Sequence, residues 1–430
     1  MDYSSIIKNN FWICYTRFCK FCFKYFYRME ITSHLAVAIN LILILPLSLA
    51  QPTLKLVSVL YRHGDRSPAA IYPLDKNNAT AWPDGLGWLT NIGKQQQFVL
   101  GQFIKNKYSG FLNTSYYNHT EILVQSSGVN RCLMSAYCHL AGLYSPQGEQ
   151  IWNPNLLWQP IPVQSTPTKS DNKLALGAPC PKYDKLLADV FNSPEIQKEE
   201  MENKDFYEMI EKNTGISKEN VEDIWKVSDP LICEQAHNMT WNDWVYQSGV
   251  WEKLQSLTSL SYAVYLYTPE MARLKGGPLL KEIITNMQTA TQQDKPSPKF
   301  YMYSAHDTTV ATLLSAMHVF DRHAPIYNAL VMVELHNIQS DYVVKIFYKN
   351  ESNSDPYELF VPGCNLPCKL VDFVSLTKDT VPVDWNQECQ LPVSQLPVSQ
   401  KSADTTKCPN GGPTIFLSTW LILLTLWICA

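Results

Sequence analysis

Positive charge is not in excess in this chain: 35 Lys and Arg stand against 39 Asp and Glu, a formal net charge of −4. No basic stripe is visible, which excludes nucleic acid as a bulk partner. A zinc site would need a second Cys or His pair at ligand spacing beside Cys364-x3-Cys368, and none is evident, so a structural zinc is not expected. Charged residues are also sparse, at 17% of 430 positions against 46% apolar. That balance leaves material for a sizeable core, and the length suggests roughly two or three units. Between residues 180 and 280 no strand alternation is found.

Long apolar runs are confined to the two ends. Residues 34–50 are apolar after a basic stretch and close on Ser48-Leu49-Ala50, the small-residue pattern of signal-peptide cleavage. Met29 is then a candidate start, residues 1–28 an upstream extension, and a signal anchor the competing reading. Residues 414–430 are apolar but carry no basic residue beyond them, unlike a usual spanning helix. Small residues Ser402-Ala403-Asp404, a polar spacer and the apolar tail fit a glycolipid-anchor signal, with a tail-end spanning helix as the alternative. Sequons at Asn78, Asn113, Asn118, Asn238 and Asn350 are candidate glycosylation sites and agree with a secretory route. Eight of the twelve cysteines lie between the leader and the tail. In an oxidising compartment disulfides are their default state, and Cys364-x3-Cys368 beside Pro362-Gly363 suits a local bridge.

Along the chain, strand and helix patterns alternate. Leu54 to Leu60 is a short apolar run rich in β-branched residues, the pattern of a buried strand. A helix is expected from about Leu89 to Tyr108, a short strand from Glu121 to Gln125, and a helix from Arg131 to Tyr144. An irregular connection begins at Pro160 to Val163. Residues 180–280 read as an all-helical cap, with charged runs such as Glu195 to Glu202 forming solvated faces. Lys299 to Ser304 returns to strand and is followed by a helix. Ala329 to Leu335 and Tyr342 to Tyr348 look like a hairpin at a sheet edge. The fold class is therefore α/β: a mainly parallel central sheet flanked by helices, with core segments 51–179 and 281–390, the cap at 180–280 and a stalk at 391–413.

Two motifs carry the chemistry. Tyr61-Arg62-His63-Gly64-Asp65-Arg66-Ser67-Pro68 sits where the first strand stops, and ligands in open α/β sheets bind at that end. Two arginines around one imidazole form an oxyanion clamp, because the guanidinium fork bonds two oxygens at once and stays charged. Ser304-Ala305-His306-Asp307-Thr308 sits at a second strand-to-helix junction, placing an imidazole and a carboxyl beside a helix N-terminus that favours anions.

Together, Arg-His-Gly-x-Arg-x-Pro and His-Asp resemble the histidine acid phosphatases of prostatic and lysosomal type, over about Lys55 to Cys389. IWNPNLLWQPIPV at 151–163, CEQAHNMT at 233–240 and VPGC at 361–364 extend the likeness. The resemblance implies a metal-independent phosphatase with no cofactor, acting on small phosphate monoesters or phosphorylated peptides. In it His63 is the nucleophile and Asp307 the proton donor. Arg62, Arg66, Arg131 and His306 bind the phosphate, and Gly64's carbonyl fixes the His63 tautomer. It also implies disulfides Cys180–Cys389 and Cys364–Cys368, and a possible homodimer. Location would be extracellular, lysosomal or cell-surface attached.

The chain departs from the family at one loop. Where the family typically reads Arg-Ser-Thr-Asp-x-Asp-Arg-Thr, this sequence has Gln125-Ser126-Ser127-Gly128-Val129-Asn130-Arg131-Cys132. The phosphate-binding arginine survives, but the earlier arginine and both acids are gone, which puts loop rigidity in question. Cys233 lacks its usual partner near Leu330, leaving Cys132 or Cys138 as candidates and a packed free thiol as the other reading. His237 is read as a hydrogen-bonding residue near the site mouth, and His318, His323 and His336 as surface or core residues. A phytase-like monoesterase is the rival enzyme, although the cap shows no clear basic cluster for inositol polyphosphate. A catalytically silent glycoprotein that binds phosphorylated ligands is the reading from another class.

Overall fold

The computed structural model describes residues 53–217, 220–351 and 354–391. The leader, residues 1–28, the residues beyond 391 and with them nearly all of the stalk and the apolar tail lie outside the described residues.

The apolar run at the start becomes β1 (Leu54–Arg62), buried from Leu56 onward. Its side chains alternate between two cores, as strand geometry requires. Leu56 and Leu60 enter one cluster, and Val57, Val59 and Tyr61 the other. Each such fully buried side chain contributes roughly 1.5–3 kcal/mol of burial free energy. The second cluster is covered by α1 (Asn91–Lys107) and α2 (Asn130–Leu143), and the first by two helices described below.

The remaining strands are β2 (Ile122–Ser127), β3 (Gln164–Thr166), β4 (Phe300–Ala305), β5 (Leu330–Ile338), β6 (Asp341–Lys349) and β7 (Tyr357–Leu359). They form one sheet in the order β3-β2-β4-β1-β5-β6-β7. The β1–β4, β2–β4 and β2–β3 pairs are parallel, and those made by β5, β6 and β7 are antiparallel. The expected hairpin is β5–β6, but it is not the edge. β5 pairs with β1 inside the sheet, and the edge is β7, whose three residues are too few for a periodic pattern to show. β3 likewise follows the expected irregular stretch and is only three residues long.

The described residues of 181–275 contain helices and no strand: α3 (Pro181–Phe191), α4 (Pro194–Glu202), α5 (Lys204–Thr214), α6 (Trp225–Ala236), α7 (Val250–Val264) and α8 (Pro269–Lys275). Tyr207, Ile210, Val227, Leu231, Trp244 and Leu254 give this cap its own core, into which Tyr72 of the β1–α1 connection also packs. α9 (Gly277–Thr291) turns Leu280, Ile283, Ile284 and Met287 into the first sheet cluster, beside α10 (Asp307–Ala316). α11 (Leu370–Leu376) packs on β6, and α12 (Trp385–Glu388) ends the described chain. Cys180–Cys389 joins the start of the cap to α12, and Cys364–Cys368 closes its local loop. Cys132, Cys138 and Cys233 are free thiols, so neither candidate partner for Cys233 is used.

Candidate active site

The two motifs are brought together by strand pairing alone. Arg62 pairs with Ala305 at the carboxyl ends of the parallel strands β1 and β4, and the His63 amide donates to the Ala305 carbonyl at 2.9 Å. The next residues, His63 and His306, then meet edge to face with ring centroids 5.7 Å apart. Arg131, one residue into α2, reaches the same point because β2 is the other parallel neighbour of β4.

The signature loop is held tightly by α1. Thr90 caps that helix and donates through its hydroxyl to the Asp65 carboxylate. Gln96 accepts from the Asp65 amide at 2.8 Å, and Gln97 donates to the Arg62 carbonyl at 2.9 Å and to Asn328 at 2.6 Å. This approach needs glycine on both sides. A Cβ on Gly64 would lie 2.4 Å from the Gly93 carbonyl oxygen, and one on Gly93 would lie 2.1 Å from that of Asp65.

His63 Nδ1 donates to the Gly64 carbonyl at 2.8 Å, which fixes the tautomer and leaves Nε2 with its lone pair. Burial, together with Arg62, Arg131 and Arg66, holds this imidazole well below its ordinary 6.5, which favours the neutral ring. Arg62 donates to the Pro325 carbonyl at 2.6 Å and to Asp307 Oδ2 at 2.8 Å, and its guanidinium carbon lies 4.3 Å over the Tyr327 ring. Arg66 is gripped by Asp229 through both terminal nitrogens, at 2.6 and 3.0 Å. Arg131 donates to His306 Nδ1 at 3.3 Å. The Nε atoms of all three arginines are buried and have no hydrogen-bond partner. Three desolvated cationic donors at one point suit an oxyanion.

Burial alone would raise the Asp307 carboxyl, but Arg62, Arg66 and His306 outweigh it and hold the group below its ordinary 3.8. His306 is pushed down to about 3 by burial and then by Arg131. Because an arginine only donates, its contact makes His306 Nδ1 an acceptor and puts the ring proton on Nε2, which faces Ser127 Oγ at 2.9 Å. His306 thus bridges Arg131 on one side of its ring and Ser127 on the other.

The altered loop is braced by other residues. Gln125 donates to Glu282 at 2.7 Å, Lys173 pairs with the same carboxylate, and the Tyr303 hydroxyl donates to it at 3.0 Å. A cation is thus present, supplied by Lys173 rather than from position 125. Gly128 lies where a Cβ would approach the Thr166 carbonyl oxygen to 2.8 Å, so this loop packs on β3 more closely than an aspartate there would allow. Cys132 is fully buried, with its thiol 3.3 Å from the Ala305 carbonyl and 3.5 Å from His306 Nε2.

The sequence reading missed Asp229, Tyr262 and Tyr327. Tyr327 lies 6.0 Å from His63 between ring centroids, and Tyr262 of α7 brings its phenol into the field of Asp307 and Arg62. No motif surrounds them, and only the fold carries them to the strand ends. His237 hydrogen-bonds Asp65 at 2.8 Å. His336 bonds Glu334 at 2.9 Å and Thr53 at 2.9 Å, His318 bonds Asp379 at 3.1 Å, and His323 pairs with Asp321 and with Tyr348 at 2.7 Å. A cavity of about 700 Å³ between α1 and residues 326–328 shares Tyr327 with the site but is lined by neither His63 nor the three arginines.

A profile of the histidine phosphatase superfamily (branch 2) matches residues 53–349. Bovine lysosomal acid phosphatase is 40% identical over 364 residues, covering 83% of this chain and 84% of that protein. Human prostatic acid phosphatase is 41% identical over 343 residues, covering 78% and 88%. Among solved structures, a Hafnia alvei phytase bound to tartrate superposes with a TM-score of 0.61 at 17% identity, over 80% of this chain and 100% of that one.

Proposed function

The chain belongs to the histidine phosphatase superfamily, branch 2, as an acid phosphatase of phosphate monoesters, and we propose that it works through a phosphohistidine on His63. The observation that carries this reading is the His63 Nδ1–Gly64 carbonyl bond, which leaves Nε2 unprotonated beside three arginines whose Nε–H groups lack acceptors.

The substrate phosphate takes up those donors, and their charge offsets the repulsion between its oxygens and a nucleophile. Nε2 attacks phosphorus in line, a P–N bond forms and the P–O ester bond breaks. The leaving oxygen takes a proton from Asp307. Asp307 is a carboxylate while Arg62 is its counter-ion; a dianionic phosphate competes for that arginine and sets negative charge beside the carboxyl, and both effects raise it and favour the protonated form that the leaving group needs. In the second half, Asp307 accepts a proton from water as the water oxygen attacks phosphorus. The P–N bond breaks and its electron pair returns to Nε2. His306 orients Arg131 through Nδ1. The arginines supply the positive charge that a divalent metal provides in other phosphatases.

Rapid acid-free quenching after mixing with labelled p-nitrophenyl phosphate tests the reading. We expect a base-stable, acid-labile phosphoryl adduct on the wild-type protein and none on His63→Ala, together with loss of hydrolysis at pH 4–6. Hydrolysis retained in folded His63→Ala would sink the phosphohistidine route, and activity abolished by a chelator would sink its metal-free form.

The lysosomal and prostatic relatives support a lysosomal or secreted location. Glycosylation is supported by the exposed Asn78, Asn113 and Asn238 and the half-buried Asn118 and Asn350. Surface attachment rests on the anchor-like 402–430 sequence. Exposed apolar side chains at Trp152 and Leu157 support the homodimer.

A further inference from the structure

The cap does more than cover the sheet, because one stripe of α6 reaches into the phosphate site. Asp229, Cys233 and His237 follow at spacings of four, so they share one side of the helix and its C-cap. Each touches a different wall. Cys233 Sγ is 3.2 Å from the Tyr327 hydroxyl, and His237 Nε2 is 2.8 Å from Asp65 Oδ2. Asp229 meets Arg66 through two bonds, Nη2 to Oδ1 at 2.6 Å and Nη1 to Oδ2 at 3.0 Å, and Oδ2 also accepts from the Ala69 amide at 2.9 Å.

That two-point grip has a directional consequence. A guanidinium is rigid and planar, so fixing its two terminal nitrogens fixes where its Nε–H points. Nε of Arg66 is the buried donor left without a partner. Asp229 is itself largely buried, with its side chain 13% exposed, so little water competes for the pair. The charge matters as well as the geometry, since Arg66 is a cation taken out of solvent.

We propose that Asp229 is the positioning residue for Arg66: a carboxylate carried by the helical cap that aims this arginine's Nε edge at the substrate phosphate. The proposal rests on Arg66 being a phosphate ligand. It makes the cap a working part of the anion site, because displacing α6 releases one of its three arginines.

Calorimetric titration with inorganic phosphate tests this without depending on turnover. The proteins compared are wild type, Asp229→Asn, Arg66→Ala and the double variant. Asparagine keeps the shape and one acceptor for Ala69 but loses the charge and the two-point grip. We expect Asp229→Asn to weaken phosphate binding at least about 10-fold. KM for p-nitrophenyl phosphate should rise in step, while kcat changes less than about threefold. In the Arg66→Ala background the same substitution should have no further effect on phosphate affinity. Unchanged phosphate affinity in Asp229→Asn, or an undiminished loss in the Arg66→Ala background, overturns the proposal. Should Asp229→Asn fail to fold, Asp229→Glu keeps the charge but moves it by one methylene, and wild-type phosphate affinity in that variant overturns the proposal equally. Wild-type protein that binds phosphate yet hydrolyses nothing would sink the catalytic reading while leaving this one standing. Arg66→Ala that binds phosphate like wild type would remove the premise of both.

Discussion

Asp307 is the counter-ion of Arg62 in this structure and, in the proposed mechanism, the proton donor once substrate is bound. We predict that Asp307→Asn removes leaving-group assistance and little else. Hydrolysis of an alkyl phosphate, whose alkoxide needs the proton, should fall by about 10²–10⁴-fold. p-Nitrophenyl phosphate, whose phenolate leaves readily, should be far less affected, and steady-state kinetics on the two substrates decide it. Equal losses would mean that Asp307 acts on phosphate binding instead. His63, Arg62, Arg66, His306 and Asp307 were legible one by one because two short motifs carry them. Arg131 needed the resemblance, and Asp229 and Tyr327 had no local signal at all. The replacement of a loop arginine by Gln125 was legible as a loss, but its counterweight, Lys173 on Glu282, lies 48 and 157 residues away from position 125.

Element boundaries followed from periodicity where elements were long. β1, α1, α2, β4 and the β5–β6 pair fall within a few residues of their expected places. β3 and β7 escaped because three residues define no period. α6 shows what pattern reading cannot supply. Its apolar side faces the cap core, while Asp229, Cys233 and Glu234 on the same helix are directed at residues about 160 positions earlier or some 90 later. Glu234 is fully buried and faces the carboxyl of Asp75. Burial, reinforced by Asp75, pushes the Glu234 carboxyl up from 4.5 to about 8, and Asp75 rises too, chiefly from burial. The two carboxyls, after burial, also help raise the nearby Tyr72 phenol, and Lys76 partly relieves Glu234. A raised carboxyl stabilises the fold fully below its unfolded value, and that stability is lost as pH rises through its folded value. We therefore predict that Glu234→Gln has a higher melting temperature than wild type at pH 9, with the difference vanishing near pH 4.5. A difference that is the same at both pH values would place the effect in packing and not in the proton.

At the scale of the whole molecule, the cap and the sheet are tied at two ends. One tie is α6 on the signature loop, and the other is Cys180–Cys389, which spans 209 residues. Closing so long a loop restricts the unfolded chain, and we predict that Cys180→Ser with Cys389→Ser costs about 2–5 kcal/mol. Urea denaturation measures it, and an unchanged midpoint would show that the tie is incidental. The buried, neutral His63 and His306 act in the opposite direction to Glu234. Their folded values are depressed, so the stability they contribute is lost as pH falls below 6.5. The sequence by itself determined the chemistry on offer: a strand ending in Arg-His-Gly, a second ending in His-Asp, an unbroken helical stretch between them, and cysteines suited to an oxidising compartment. It could do so because residue type and spacing are local properties of a chain. The tertiary structure decided which of those groups are already occupied. Parallel pairing of β1 with β4 set the two histidines side by side, Asp307 and Asp229 claimed two of the three arginines, and three Nε–H groups were left buried without acceptors. Which partner a charge meets depends on contacts far apart in sequence, and only packing fixes those.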